Sequence, residues 1–251
     1  MKASKESVRL LASASQYAVR LARSPEEIQA AQALRFQVFN LELNEGLAHS
    51  YSTGLDADPF DAVCDHLIVE HVPSHQIVGT YRLQTGATAA KRLGYYCHQE
   101  FEFAVFEPLR SQIVELGRAC VHRQHRNMFV LGLLWKSIAE YTRDRGCRYL
   151  IGCSSLTSQE PATGASAYTE LCRNHLVEPQ WRTKPLPVCE CPLEAVTDEP
   201  TSIPKLLRAY LMLGAKICGP PALDCQFKTI DFLTFMDMHA LSGPARERFL
   251  G

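Results

Sequence analysis

Residues 111–121 read SQIVELGRACV, and the HRQHRN that follows leads into a long segment striped with apolar residues. Apolar side chains dominate this run and bracket Glu115 and Arg118. As a strand it carries one acid and one base into a mostly buried sheet, where an unpaired charge is costly. The pair is then either a salt bridge that the fold tolerates or a reaction centre whose carboxylate has a displaced pKa. Strict alternation sends Glu115 and Arg118 to opposite faces. A bulge at Gly117 shifts the phase by one residue, so that both reach one cleft. It also splays the strand from its neighbour and leaves backbone N–H groups for a ligand.

Downstream, Leu131, Leu134, Ile138 and Tyr141 recur at helical spacing, and Gly146 closes that helix. YLIGC (149–153) reads as a buried strand. Upstream, 66–72 and 76–83 are strands joined by a turn at 73–75, a hairpin in which Arg82 projects opposite to Tyr81 and Ile77. Ser24-Pro25-Glu26-Glu27 is a cap, an N1 proline and an acid three residues after the cap, so a helix runs from there to about residue 43. Arg35 and Phe39 share one side of it. YAVRLA (17–22) is a short strand, and residues 47–60 form a loop. Between 84 and 109 the pattern weakens to a short helix over 87–92 and an aromatic patch of Tyr95, Tyr96, Phe101, Phe103 and Phe106, which lines a tunnel or forms an ordinary core flap.

The last third holds a helix over 162–175, a proline-rich insertion over 176–204, a helix over 205–213 closed by Gly214, and strands in AKICG and FKTIDFLTFMD. The expected organisation is a flexible segment over 1–15, one α/β (α+β) domain over 16–240 and a tail over 241–251. With 251 residues, 46% of them hydrophobic, the chain can bury a sizeable core. No apolar run approaches the roughly 20 residues that span a bilayer. The expected place is the cytoplasm, with peripheral contact at the inner membrane left open. The ten cysteines lack the spacing of a disulfide framework, and Cys189-x-Cys191 has no second cluster, so no metal site is expected. From Glu42 to Glu70 the acids have no Lys or Arg among them, whereas 110–148 is rich in bases. That division suits a cationic small substrate on one side and an acidic partner on the other. No nucleic acid is implied.

The element order matches the GNAT acyltransferase fold, a mixed central sheet flanked by helices. DPFDAVCDHLIVEH, IVGTYRL, ELGRACVHRQHRN, LLWKSIAEY, YLIGCSS and LLRAYLMLGAKICGPPALDCQFKTIDF resemble, in order, the ornithine N-acyltransferases and the hemolysin-like proteins related to them. Arg35, Phe39, Asp58, Asp61, Arg82, Glu115 and Arg118 are also similar to the pattern of acyl-homoserine lactone synthases. This resemblance implies transfer of a (3-hydroxy)fatty acyl group from acyl carrier protein to the amine of an amino acid such as ornithine, giving the lyso precursor of ornithine lipid. Two other readings are a lactone-type signal synthase and a non-catalytic acyl-carrier or lipid-binding protein on the same fold.

Ordinary GNAT enzymes grip the pyrophosphate of coenzyme A with a glycine-rich turn. Here that turn is HRQHRNMFV, without glycine, which favours an acyl-carrier thioester over acyl-CoA and implies no tightly bound cofactor. Arg123, His125 and Arg126 then meet the carrier. Aminolysis needs a neutral amine, a held oxyanion and a protonated leaving thiolate. The expected parts are Glu115 as general base, worth ~10²–10⁴-fold, N–H groups at the Gly117 bulge for the oxyanion, and Tyr210 as acid, its Y-x-x-x-G with Gly214 matching the late GNAT helix. Asp61 and Asp65 are expected to hold ammonium groups, unless either caps the turn before the hairpin. Arg82 or Arg118 receives the carboxylate, and His66, Arg35 and Phe39 complete the substrate side. An acyl-cysteine at Cys120 or Cys153 needs a lowered thiol pKa that these apolar strands do not suggest.

Overall fold

The computed structural model describes residues 16–194, 202–241 and 243. The expectations for 1–15, for the end of the proline-rich insertion and for most of the tail fall outside them. Eight strands form one sheet in the order β1-β2-β3-β4-β5-β8-β6, with β7 pairing β8. They are β1 (Tyr17–Leu21), β2 (Asp65–His71), β3 (Gln76–Thr85), β4 (Ile113–Val121), β5 (Tyr149–Leu156), β6 (Lys216–Ile217), β7 (Ala222–Asp224) and β8 (Thr229–Asp237). All pairings are antiparallel except β4 with β5. The mixed sheet and its flanking helices are those of the GNAT fold.

Helix α1 (Pro25–Phe36) opens as its sequence requires, Ser24 accepting from the Glu27 amide with Pro25 at the first turn. It does not stay α-helical to residue 43. Over Gln37–Glu42 it widens into a π-helix, which turns Phe39 toward Phe227, ring centroids 5.2 Å apart. Helix α2 (Gly86–Lys91) is the short one expected after β3. Helix α3 (Met128–Asp144) buries Val130, Leu134, Trp135, Ile138 and Tyr141 against Tyr81, Leu83, Val114 and Leu150. Each fully buried aliphatic side chain there contributes about 1.5–3 kcal/mol. Helices α4 (Pro161–Cys172) and α5 (Lys205–Met212) cover the same face further along, over Leu156, Ile230 and Phe232. The opposite face carries α1 and the aromatic segment, whose Tyr95, Phe101, Phe103 and Phe106 are core.

The proline-rich stretch is less irregular than its composition suggests. Val177 and Thr183 donate backbone hydrogen bonds to Ile217 and Cys218, and Leu186 donates to Glu100. Proline excludes it from a central strand, yet it touches β6 and the residue after it on either side of a 3-10 turn at Pro179–Trp181 and ties residue 100 in place. Among the described residues no helix is long and apolar enough to cross a membrane.

Candidate active site

Strands β4 and β5 run together over three pairs only, Ile113 with Tyr149, Val114 with Leu150 and Glu115 with Ile151. Beyond Glu115 they fork. Gly152 permits the close base of the fork, since a Cβ there would stand 2.4 Å from the Leu116 carbonyl oxygen. The bulge is present one residue later than its expected position. Thr80 pairs Cys120 and Arg82 pairs Gly117, so β4 holds one residue more than β3, and Arg118 adopts φ 51°. From Leu116 to Val121 the edge of β4 that faces β5 has no partner strand, so its N–H and C=O groups look into the gap.

A cavity of about 800 Å³ passes through this fork to both faces of the sheet. On the α3 face it is apolar, walled by Leu116, Leu131, Leu134, Trp135, Leu150 and Met236. On the α1 face its walls are polar: Arg82, Glu115 and Arg118 with Tyr96 and Phe39, then Glu45, Asp224 and Asp231. One chamber therefore has an apolar half and a charged half, joined at an open strand edge.

Beside the charged half lies a closed ring of six ionic side chains. Arg35 pairs Asp61 (2.7 Å), Asp61 pairs Arg82 (3.1 Å), Arg82 pairs Asp58 (2.6 Å), Asp58 pairs Arg118 (3.0 Å), Arg118 pairs Asp56 (3.3 Å), and Asp56 returns to Arg35 (3.4 Å). Three charges of each sign cancel, which is how a group as deeply buried as Arg35, fully enclosed, is tolerated. Burial alone would raise the Asp61 carboxyl, but Arg35 and Arg82 outweigh it and hold it at about 2. Aromatic rings complete the cluster, Arg82 lying against Phe60 and Tyr96, and Arg118 between Tyr96 and Phe227.

The ring changes the expected division of labour. Asp61 is committed to Arg35 and Arg82, accepts the Asp58 amide in a capping box, and does not line the cavity. Its other sequence reading, a cap of the turn before the hairpin, is the one realised. Asp65 is half-exposed and accepts from the Tyr141 hydroxyl (2.7 Å) beside Arg145, on the α3 side and away from the chamber. His66 Nε2 donates to the Asp61 carbonyl (3.0 Å), and burial lowers its pKa; it braces that turn outside the cavity. Arg35 is likewise enclosed beneath the chamber. Phe39, Arg82, Glu115, Gly117, Arg118 and Tyr210 do line it.

Glu115, 4% exposed, accepts from Gln84 Nε2 (2.6 Å), the Tyr96 amide (2.9 Å) and the Cys97 amide (2.8 Å). It thus pins residues 96 and 97 across β3 and β4. A carboxylate has about four acceptor positions; the one left is on Oε1. On the other face the hydroxyls of Tyr81 and Tyr210 share a short hydrogen bond, and Tyr210 packs on Trp135. Burial and Tyr81 raise the Tyr210 pKa well above a normal phenol, so it remains a proton donor. Burial also pushes Cys120 up to about 12, and the Cys97 thiol with burial raises Cys153, so neither offers a thiolate.

The turn after β4 is a 3-10 turn, Arg123–His125, before the Asn127 cap. Asn127 Oδ1 accepts from the Phe129 and Val130 amides, both at 3.0 Å, so the chain itself occupies donors that a phosphate would use. Of the three bases expected there, Arg126 pairs Glu42 and the Val121 carbonyl, and His125 bonds the Tyr17 hydroxyl at 2.8 Å. Arg123 is exposed.

Sequence reasoning missed Asp56, Glu45 and Asp231. Asp231 was open to the logic applied to Glu115, a lone acid inside the apolar run FKTIDFLTF. Glu45 gave no signal, because the chain brings it to the chamber through a π-helix and the tight turn at Gly46, φ 82°.

Comparison with known proteins places this geometry. Residues 34–136 match the acetyltransferase (GNAT) domain family. The L-ornithine N(alpha)-acyltransferase of Brucella abortus (strain 2308) is 35% identical over 239 residues, covering 89% of this chain and 85% of that protein. The enzyme of the same name from Agrobacterium fabrum is 34% identical, covering 89% and 82%. Among solved structures, FeeM, an N-acyl amino acid synthase from uncultured soil microbes, superposes with a TM-score of 0.56 at 11% identity over 94% of this chain and 95% of that one. The AHL synthase LasI gives 0.52 at 11% identity, covering 93% and 94%. These two likenesses bear on the fold alone. The chain is an acyltransferase of GNAT fold and belongs to the L-ornithine N(alpha)-acyltransferase family.

Proposed function

We propose that the chain acylates the α-amine of an amino acid, ornithine being the acceptor named for its relatives, with a fatty acyl group carried as an acyl-carrier thioester. The forked chamber is the observation that carries this reading, because its two halves fit the two substrates. The acyl chain lies along the apolar wall under α3, where each buried methylene contributes about 0.8 kcal/mol. Its thioester reaches the fork, and the acceptor enters from the charged side. The unpaired edge of β4 around Gly117 supplies N–H groups to the oxyanion. An α-amino group titrates near ~8, so a minority is nucleophilic at neutral pH. Glu115, through its remaining acceptor position on Oε1 and directly or by one water, takes the proton as nitrogen attacks. Tyr210 gives its proton to the departing thiolate. Arg118, which lines the chamber between its two rings, keeps its pairs to Asp56 and Asp58 and gives its remaining N–H donors to the acceptor carboxylate. A carrier donor suits the turn after β4, whose helix-start amides are already held by Asn127.

The test must separate catalysis from anchorage, since Glu115 also holds two backbone amides. Glu115→Gln is expected to lower kcat by ~10²–10⁴-fold with ornithine, and to slow hydroxylamine, an acceptor largely unprotonated at neutral pH, far less. Mass spectrometry of lipids from cells making either protein should show acyl-ornithine only with the wild type. A variant slowed equally with ornithine and with hydroxylamine would make Glu115 a strut rather than the base.

A further inference from the structure

Four carboxylates from four elements meet at the far end of the charged half. Glu45 arrives from the turn after α1, Asp224 from β7, Asp231 from β8 and Glu100 from the 3-10 turn Tyr96–Gln99. Glu45, Asp224 and Asp231 line the cavity. Oxygens of Glu100 and Asp231 and the Cys153 sulfur lie within 4.8 Å of one another. Glu100 and Asp231 are each 4% exposed, and Asp231 Oδ1 and Glu100 Oε1 have no hydrogen-bond partner. Among the described residues the nearby cation is Arg118, already committed to Asp56 and Asp58.

Such a group of buried acids needs protons or a cation. Empty, it disfavours ionisation: burial, with Asp224 close by, raises Asp231 to about 6, and burial with Asp231 and Asp224 raises Glu100 well above a normal carboxyl. The chamber's continuity with the fork selects the cation. A group tethered to the acceptor reaches the acids while its amine stands at the strand edge. An alkylammonium offers three N–H donors, matching Asp231 Oδ1, Glu45 and Asp224, which line the cavity, with Glu100 behind Asp231. For a metal ion only two of the four carboxylates, with the Cys153 sulfur, come within 4.8 Å of one another, a sparse set of oxygen ligands.

We propose that Glu45, Asp224, Asp231 and Glu100 form the pocket for the acceptor's side-chain ammonium, so that this chain selects a diamino acid over a neutral amino acid of equal length. The inference rests on the aminolysis reading above, and direct binding tests it separately from catalysis. Calorimetry would compare L-ornithine with L-norvaline, which has the same carbon chain and no side-chain amine, on the wild type, Asp231→Asn and Glu45→Gln. The wild type is expected to favour ornithine by at least about tenfold, a site built for N–H donors rejecting the analogue that lacks them, and each variant should shrink that ratio. Thermal midpoints establish that the variants are folded, and Glu45→Gln carries the test if Asp231→Asn does not fold. Equal affinity for the two ligands in the wild type, or full discrimination in folded variants, overturns the proposal. So does one-to-one zinc binding that Asp231→Asn abolishes while ornithine affinity stays unchanged. A wild type that binds ornithine selectively but acylates no amine overturns the aminolysis reading and leaves the ammonium pocket standing.

Discussion

Asp61 shows how a single residue answers to its surroundings. Its carboxyl titrates at about 2 in the fold against an ordinary 3.8, because two guanidinium groups outweigh its burial. A depressed acid stabilises the fold fully above its unfolded pKa and loses that contribution as pH falls through the folded value. The window is therefore pH 3.8 to about 2, and the contribution is about 2 kcal/mol. Urea midpoints of the wild type should fall across that window, and Asp61→Asn should flatten that part of the profile while lowering stability at neutral pH. A wild-type midpoint constant from pH 4 to 2 would show the ring to be loose. Residue type was legible at these positions, and partnership was not. Asp61, Arg82 and Arg118 were singled out as substrate-side charges, and Asp58 by resemblance to the lactone-synthase pattern alone. That they neutralise one another depends on Asp56 and on the enclosure of Arg35, and neither can be read from spacing along the chain. The same blindness hid Asp231, whose isolation in an apolar strand acquires meaning only when Glu100, Glu45 and Asp224 arrive from elsewhere.

At the scale of elements, periodicity carried most of the reading. The hairpin, α3 and the bulged strand follow from two-residue and helical repeats that few alternatives satisfy. The π-helical turn at Gln37–Glu42 did not show, since its apolar spacing also fits an ordinary helix. Nor did the backbone pairing of 176–186 on either side of its 3-10 turn at Pro179–Trp181, where proline masks bonds that run through other residues' N–H groups. The missing glycines before α3 were legible, and the structure adds Asn127, which takes the first amides of that helix. Replacing it frees them. Glycine at a cap position costs only a few tenths of a kcal/mol relative to asparagine, so Asn127→Gly should remain folded with its helix start open to a phosphate. The expected outcome is a rise in kcat/KM for acyl-CoA relative to acyl-carrier thioester. An unchanged ratio would mean that the donor's phosphates never approach the start of α3.

The whole molecule inverts one reading of its charge pattern. Acids over 42–70 and bases over 110–148 suggested a surface divided by sign. The fold instead brings the two segments together, pairing Glu42 with Arg126, Asp65 with Arg145, and Asp56 and Asp58 with Arg118. Much of the asymmetry is thus spent inside the protein as complementarity between the α1 side and β4–α3, and a smaller basic surface remains for a partner. On the turn after β4 that surface is Arg123, because Arg126 and His125 are already engaged. An exposed charge at a docking rim acts chiefly on the rate of encounter and fades as salt rises. Arg123→Glu should therefore lower kcat/KM for an acyl-carrier donor several-fold at low ionic strength, and the gap from wild type should close near 0.5 M salt. A short acyl-pantetheine thioester, which has no acidic protein to steer, should report a much smaller difference between the two proteins. If both donors lose equally, Arg123 acts through the chamber and not on the carrier. If neither changes, the carrier docks elsewhere on the molecule, and the turn after β4 serves only to start α3.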